Sequence, residues 1–354
     1  MPHLLLALAL ASAVIGLACT SAGSPSSPAA PAKPAASAPA PSGAAPTAAS
    51  APAAAAPAPR KIRIAQSASS LSNLPARLAD DKGFLRAEGL EVEWLPLAGE
   101  LSVPALLTNE IDFSMMPSSI AAATAQGAPL KIVAMLAGKL QHQLVVKPEI
   151  TSIADLRGKR IAVQRPGDLT GFEGRWLADH YNIPDVAIVS LGRDSERLTG
   201  VLTGAADATI LPVPADIRAE KEGLKVLLAI GSVLEVPLAG YGTSEEKIAR
   251  GADEIARLMR GTIRANQHLM NPANSEDVAG VIARWVEIPI EDARTAFDRV
   301  RDTYLPASIP TDAQMQNYVN MLRATASAGD DVTVDQLADF SIARRVAAEM
   351  GVTP

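Results

Sequence analysis

Hydroxyl side chains gather in this chain where a strand pattern gives way to a helix. Four stretches lie at such carboxyl ends, the place where open α/β sheets bind ligands: Ser67–Asn73, Pro117–Ser119, Arg165–Gly171 and Leu211–Pro214. The first three lead into helix patterns, and a helix start offers free N–H groups and the positive end of its dipole. Ser67, Ser69, Ser70, Asn73, Ser118, Ser119, Thr170 and Gly171, with Pro212 in the fourth loop, are therefore candidates for non-covalent capture of a polar or anionic group. Each hydroxyl also reads as an ordinary cap or turn residue. Arg165 could pair a carboxylate or sulfonate, unless Asp168 neutralises it. Phe172 and Trp176 share one helix face suited to core packing, and Phe172 is the nearer to the helix start.

Covalent chemistry finds less support. His142, His180 and His268 have no metal-ligand spacing. No Ser/His/Asp pattern or phosphate-cradling glycine loop stands out. The single cysteine, Cys19, lies in the leader, which excludes an internal disulfide and a cysteine-rich metal site. No catalytic set, metal or cofactor is expected. The net charge of −6 speaks against nucleic acid, which needs a basic patch.

The elements that hold these loops repeat. Lys61–Asp81 and Lys159–Asp179, 98 residues apart, share Lys61/Lys159, Gln66/Gln164, Leu71/Leu169, Arg77/Arg175 and Asp81/Asp179, with Ser72 facing Thr170. Leu107-Thr108, Asp112 and Pro117 recur 95 residues on as Leu202-Thr203, Asp207 and Pro212. The pattern predicts two lobes of one α/β build, the alternative being two ordinary strand–helix units that share common residues. Strands and helices alternate to Tyr241, after which the spacing is helical: Ser244–Leu269, Ser275–Val286, Ile290–Arg301, Asp312–Ala328 and Val334–Glu349. With 354 residues, 48% of them hydrophobic, the chain can bury a sizeable core.

The N-terminus has a different character. Leu4–Leu17 is an apolar run too short for a comfortable bilayer span, and it fits a signal peptide over 1–18. Gly16-Leu17-Ala18-Cys19 resembles a bacterial lipoprotein cleavage site, with Gly16 where a larger aliphatic residue is usual; a plain secretory signal cut elsewhere is the alternative. Lipidation of Cys19 would anchor the protein to a membrane. Thr20–Pro59 is rich in Ala, Pro and Ser, with Lys33 its one charge, and is expected to be a disordered tether over 19–59.

From residue 60 onward the chain resembles a known family. DDKGFLRAEGLEVEWLPL (80–97), LLTNEIDFSMMPSSIAAATAQGAPLKIVAML (106–136), ITSIADLRGKRIAV (150–163) and GVLTGAADATILPVP (200–214) are similar, in this order, to segments of ABC-importer substrate-binding proteins of the nitrate/sulfonate/taurine and thiamine-pyrimidine-precursor types. The resemblance implies an α/β, bilobal, periplasmic-binding-protein-like fold with C-terminal helices. Lobe 1 would be 60–143 with 233–354, and lobe 2 would be 144–232. Crossings near Ala137–Gln143 and Val233–Gly240 would form the hinge, with Tyr241 just past the second as a cleft candidate. It further implies a protein that takes a small solute to an ABC permease; with the lipoprotein-like start, the expectation is a lipid-anchored, monomeric protein in the periplasm or at the cell surface. A ligand sensor for a membrane receptor and a non-cysteine enzyme of the same fold are the alternatives; the cysteine-dependent relatives are excluded because Cys19 is the only cysteine.

Overall fold

Isoleucines two residues apart set the first strand: Ile62 and Ile64, with Ala65, are fully buried between a sheet neighbour on each side. The computed structural model describes residues 59–66 and 70–353, all within one unit, Ala56–Pro354. The leader, the tether, Cys19, Ser67 and Ser69 lie outside the described residues.

The chain runs through β1 (Arg60–Gln66), α1 (Leu74–Asp81), α2 (Phe84–Ala87), β2 (Leu90–Pro96), α3 (Gly99–Leu107), β3 (Phe113–Ser114), α4 (Pro117–Ala125) and β4 (Leu130–Ala137). It crosses to β5 (His142–Val146), β6 (Arg160–Val163), α5 (Leu169–His180), β7 (Ala187–Ser190), α6 (Asp194–Leu202), β8 (Ala208–Pro212), α7 (Ala215–Lys221) and β9 (Lys225–Ala229). It then returns through β10 (Leu238–Ser244) to α8 (Glu245–Arg250), α9 (Ala252–Met270), α10 (Ser275–Val286), α11 (Ile290–Val300), α12 (Asp312–Ala324), α13 (Val334–Leu337) and α14 (Ser341–Glu349). The helix expected over Ser244–Leu269 is two helices, because the chain turns at Gly251 between α8 and α9. Pro75 sits in the first turn of α1, where its missing N–H removes no helical bond, and Gly83 ends that helix with φ +71°.

Two five-stranded sheets result. Their orders are β2-β1-β3-β10-β4 and β7-β6-β8-β5-β9. The second repeats the first: a parallel trio, then one antiparallel strand in the fourth place, β10 between β3 and β4, and β5 between β8 and β9. The expected α/β bilobal fold is the observed one.

The repeat has a physical cause. Asp112 Oδ2 accepts a hydrogen bond from the Arg63 N–H at 2.8 Å, while the Asp112 N–H donates to the Arg63 carbonyl at 2.9 Å. Asp207 does the same with Arg160, at 3.0 and 2.9 Å. Each aspartate thereby locks the start of one parallel strand pair. A lysine completes each unit, Lys247 Nζ at 2.8 Å from Asp112 Oδ1 and Lys147 Nζ at 3.4 Å from Asp207 Oδ1. Burial opposes ionisation of both carboxyls, but the donated hydrogen bonds and cations outweigh it and hold both below the usual range. This pairing corrects the repeat's register. Arg63 corresponds to Arg160, so the first strands are offset by 97 residues, one fewer than letter matching suggested.

The two crossings lie together. Lys139 and Glu235, one from each, pair at 2.8 Å. Gly231 lies against Leu140, and a Cβ there would stand 2.2 Å from the Leu140 carbonyl oxygen. The C-terminal helices brace the junction: Gln141 Nε2 donates to Thr303 Oγ1 at 2.8 Å, and Asn317 Nδ2 to the Glu235 carbonyl at 2.9 Å. On α11, Arg299 holds Asp216 and Glu220 of α7, while Asp292 takes Lys221. Among the described residues, no helix is long and apolar enough to cross a membrane.

Candidate ligand site between the lobes

The loop from β6 into α5 is held rigidly. Asp168 caps α5, its Oδ1 accepting from the Gly171 N–H at 3.1 Å and from Thr170 Oγ1 at 2.8 Å. Thr170 Oγ1 in turn accepts from the Gln164 N–H at 2.8 Å. Arg175 donates back to the Pro166 carbonyl. Only glycine fits at 171, because a Cβ would stand 2.3 Å from the Pro166 oxygen and 2.4 Å from that of Arg165. Thr170 and Gly171 therefore build the loop from beneath.

Above this loop lies a cavity of about 290 Å³. Lobe 2 lines it with Arg165, Gly167, Asp168 and Leu169, and the start of α4 in lobe 1 with Pro117 and Ser118. The second crossing and β10 supply Val236 to Ala239, and α12 supplies Tyr318, Met321 and Leu322. The walls are mostly apolar, with a few polar groups, as small-molecule sites are. Among the described residues, Asp168 Oδ2 is buried without a hydrogen-bond partner and faces Arg165 Nε at 4.0 Å, on a largely exposed side chain. The Tyr318 hydroxyl is also buried and makes no hydrogen bond of ordinary geometry. Burial pushes its pKa up, against the smaller opposing effect of nearby Ser118.

Of the sequence candidates, this cavity brings together Ser118, Arg165 and Asp168. Among the described residues, the other candidates sit elsewhere. Ser70 and Ser72 bond each other through their hydroxyls at 2.8 Å, and the Leu71 carbonyl between them accepts from the Tyr304 hydroxyl at 2.7 Å. Asn73 is buried at the start of α1, with its Oδ1 unpartnered. Ser119 Oγ lies against Gly99 in the packing of α3 on α4. Phe172 is buried in the core, and Pro212 ends β8 opposite His142. Tyr241 corrects an expectation: it is fully buried, with its hydroxyl 3.3 Å from Thr262 Oγ1 and its ring edge-on to Phe113. β10 runs inside the first sheet, so a residue at its middle faces the core and not the cleft.

Sequence reasoning missed two features. Tyr318, Met321, Leu322 and Thr325 have the spacing of any core-facing helix stripe, and only the chain's topology brings them to the cavity. The other is a buried His–Glu pair in lobe 2. Glu173, fully buried, approaches His142 Nδ1 with both oxygens, at 2.7 and 2.9 Å. Burial pulls the imidazole pKa down, but the Glu173 charge and hydrogen bonds more than offset this, so it is raised.

Two lobes of one topology, joined by paired crossings with a cavity at their junction, define the bilobal fold of periplasmic binding proteins. Residues 73–275, more than half of the chain, match the NMT1/THI5-like family, and the chain belongs to it. YtlA of Bacillus subtilis (strain 168), named as a binding protein, is 20% identical over 305 residues, spanning 82% of this chain and 90% of YtlA. The periplasmic aliphatic sulphonate binding protein SsuA from Escherichia coli superposes with a TM-score of 0.65 at 17% identity, covering 81% of this chain and 99% of SsuA. The desulfurization enzyme DszB gives a TM-score of 0.61 at 14% identity, covering 82% and 99%. At these identities the likeness to the solved structures is one of fold.

Proposed function

We propose that this protein is an extracytoplasmic solute-binding protein that captures a small polar or anionic organic solute between its lobes and delivers it to an ABC permease. The observation that carries this is the junction cavity, lined by Ser118 from lobe 1 and by Arg165 and Asp168 from lobe 2. Lobe 1 (60–143 with 233–354) and lobe 2 (144–232) would close about the crossings at 137–143 and 233–240. A ligand shifts that balance only by its different affinity for the open and closed states, and wall residues from both lobes supply such a difference. Lipidation at Cys19 after removal of 1–18, with 19–59 as a tether, would keep a monomeric body at the membrane surface. The binding proteins among the structural neighbours support this reading.

The test is a thermal-shift screen of the purified protein against small anions, sulfonates, pyrimidines and aromatic acids, followed by calorimetry and small-angle scattering on any hit. A bound solute should raise the melting temperature by mass action and reduce the radius of gyration. Affinity that survives substitution of both Arg165 and Asp168 would place the site within lobe 1 and sink the shared-cleft proposal. A second reading, catalysis, is favoured by the fold shared with the desulfurization enzyme. Turnover of a bound solute by the purified protein would establish it in place of simple capture.

A further inference from the structure

The lobes meet at a second place besides the cavity, and there the contact is ionic. Arg299 of α11 holds Asp216 and Glu220 of α7, the latter at 2.5 Å, while Lys221 of α7 reaches the two oxygens of Asp292 on α11 at 2.5 and 2.6 Å. Among the described residues, these are the ion pairs that join the lobes away from the crossings. None of the five side chains lines the junction cavity. The contact lies beside the first crossing. Thr303, just past α11, accepts from Gln141 Nε2 and from the Gly138 N–H, and the Val213 N–H, just before α7, donates to the Gln141 carbonyl at 3.1 Å. Because α7 belongs to lobe 2 and α11 to lobe 1, a turn of lobe 2 about the crossings changes the distances within these pairs.

The energetics suit a contact that is made and broken. Asp216 is fully buried, and among the described residues its Oδ1 has no hydrogen-bond partner. Burial raises its pKa against the pull of Arg299. Desolvation of this carboxylate therefore works against the contact while Arg299 works for it, and such opposed effects leave a small net energy. The side chains of Arg299, Glu220 and Lys221 are partly exposed. Separating α7 from α11 returns charges to water, whereas separating two apolar faces would strand them in it.

We infer that the α7–α11 ion pairs form a latch beside the hinge, which sets the resting angle of the lobes and through it the affinity for solute, without touching the solute. This rests on the solute-binding reading above, which requires lobes that move. A latch formed in one lobe arrangement alone adds its whole energy to the balance between open and closed states, and one formed equally in both adds none.

Charge reversals on the full protein test it. Lys221→Glu and Asp292→Lys each place like charges across the junction, and the double variant restores an opposite pair with its polarity exchanged. Small-angle scattering on the unliganded proteins should show the radius of gyration shifted in each single variant and returned to the wild-type value in the double. For a solute found by the thermal-shift screen, calorimetry should show affinity changed by up to about fivefold in the single variants, the range of a partly exposed pair, and restored in the double. Melting temperatures check that each variant is folded; Lys221→Gln, which removes the pair without repulsion, replaces any reversal that is not, and should shift both readouts in the same direction. If a bound solute changes the radius of gyration while the variants alter neither it nor the affinity, the latch is refuted and capture by closure stands. If the single variants shift both readouts and the double restores neither, the effect belongs to the substitutions and not to the pair, and the inference falls. If neither solute nor substitution changes the radius of gyration, the lobes do not move, and the inference falls together with the closing reading.

Discussion

Removing the charge of Glu173 should make the protein's stability depend on pH in a way that can be worked out beforehand. In the native protein burial lowers the His142 pKa, but Glu173 more than offsets this and raises it, with Asp194 adding to the rise and Arg197 opposing it. A raised folded pKa contributes stability that is complete below the unfolded value of about 6.5 and is lost as pH rises through the folded value. In Glu173→Gln burial is left to dominate, and the imidazole must fold neutral. At pH 5 that costs about 2 kcal/mol, about 1.4 per unit over the roughly 1.5 units below 6.5, and at pH 8 it costs nothing. The stability gap between wild type and variant should therefore widen by at least about 2 kcal/mol from pH 8 to pH 5. Urea unfolding of both proteins at the two values, by linear extrapolation, reads this directly, and titrating groups remote from the pair cancel in the difference. A gap of equal size at pH 5 and pH 8 would refute the reasoning, because it would mean that Glu173 does not set the protonation of His142.

Three further outcomes are expected. Arg299→Met should leave Asp216, which is fully buried, without its cation and should lower unfolding stability by about 3–5 kcal/mol in urea titrations near neutral pH. Gly171→Ala should force the loop at Pro166 apart, destabilising the protein by about 1–3 kcal/mol in the same titrations, with weakened solute binding by calorimetry. Cys19→Ala should release the protein from the membrane fraction or block its processing; a wild-type protein recovered wholly soluble, beginning at a residue other than 19, would end the anchoring proposal.

Much of the fold is legible in residue patterns, because strand and helix periods and helix-start residues are local. Pro75 in the first turn of α1, Gly83 after its end and the capping box of Ser152 with Asp155 each have a cause contained within a few residues. The duplication is legible too, although its register is not. Identical letters favoured an offset of 98, whereas the hydrogen bonds of Asp112 and Asp207 set 97, and no local signal distinguishes the two. Ser118, Arg165 and Asp168 could be picked out because they follow strand ends. Tyr318 could not, since a helix stripe that faces a cavity has the same spacing as one that faces the core. Tyr241 failed for the opposite reason: its closeness to a crossing in sequence says nothing about which strands enclose it.

The fourth place in each sheet also bears on how the chain assembles. Every strand of the second sheet comes from one continuous stretch, His142 to Ala229. The first sheet is split: β3 and β4 have no strand between them until Leu238–Ser244 arrives. A chain emerging from the N-terminal end can therefore finish its second lobe while the first still exposes two unpaired inner edges. Such edges invite pairing with other chains, and here they persist until some hundred residues beyond β4 have been delivered. The topology lets the second sheet close on its own, while the first cannot close until β10 takes its place.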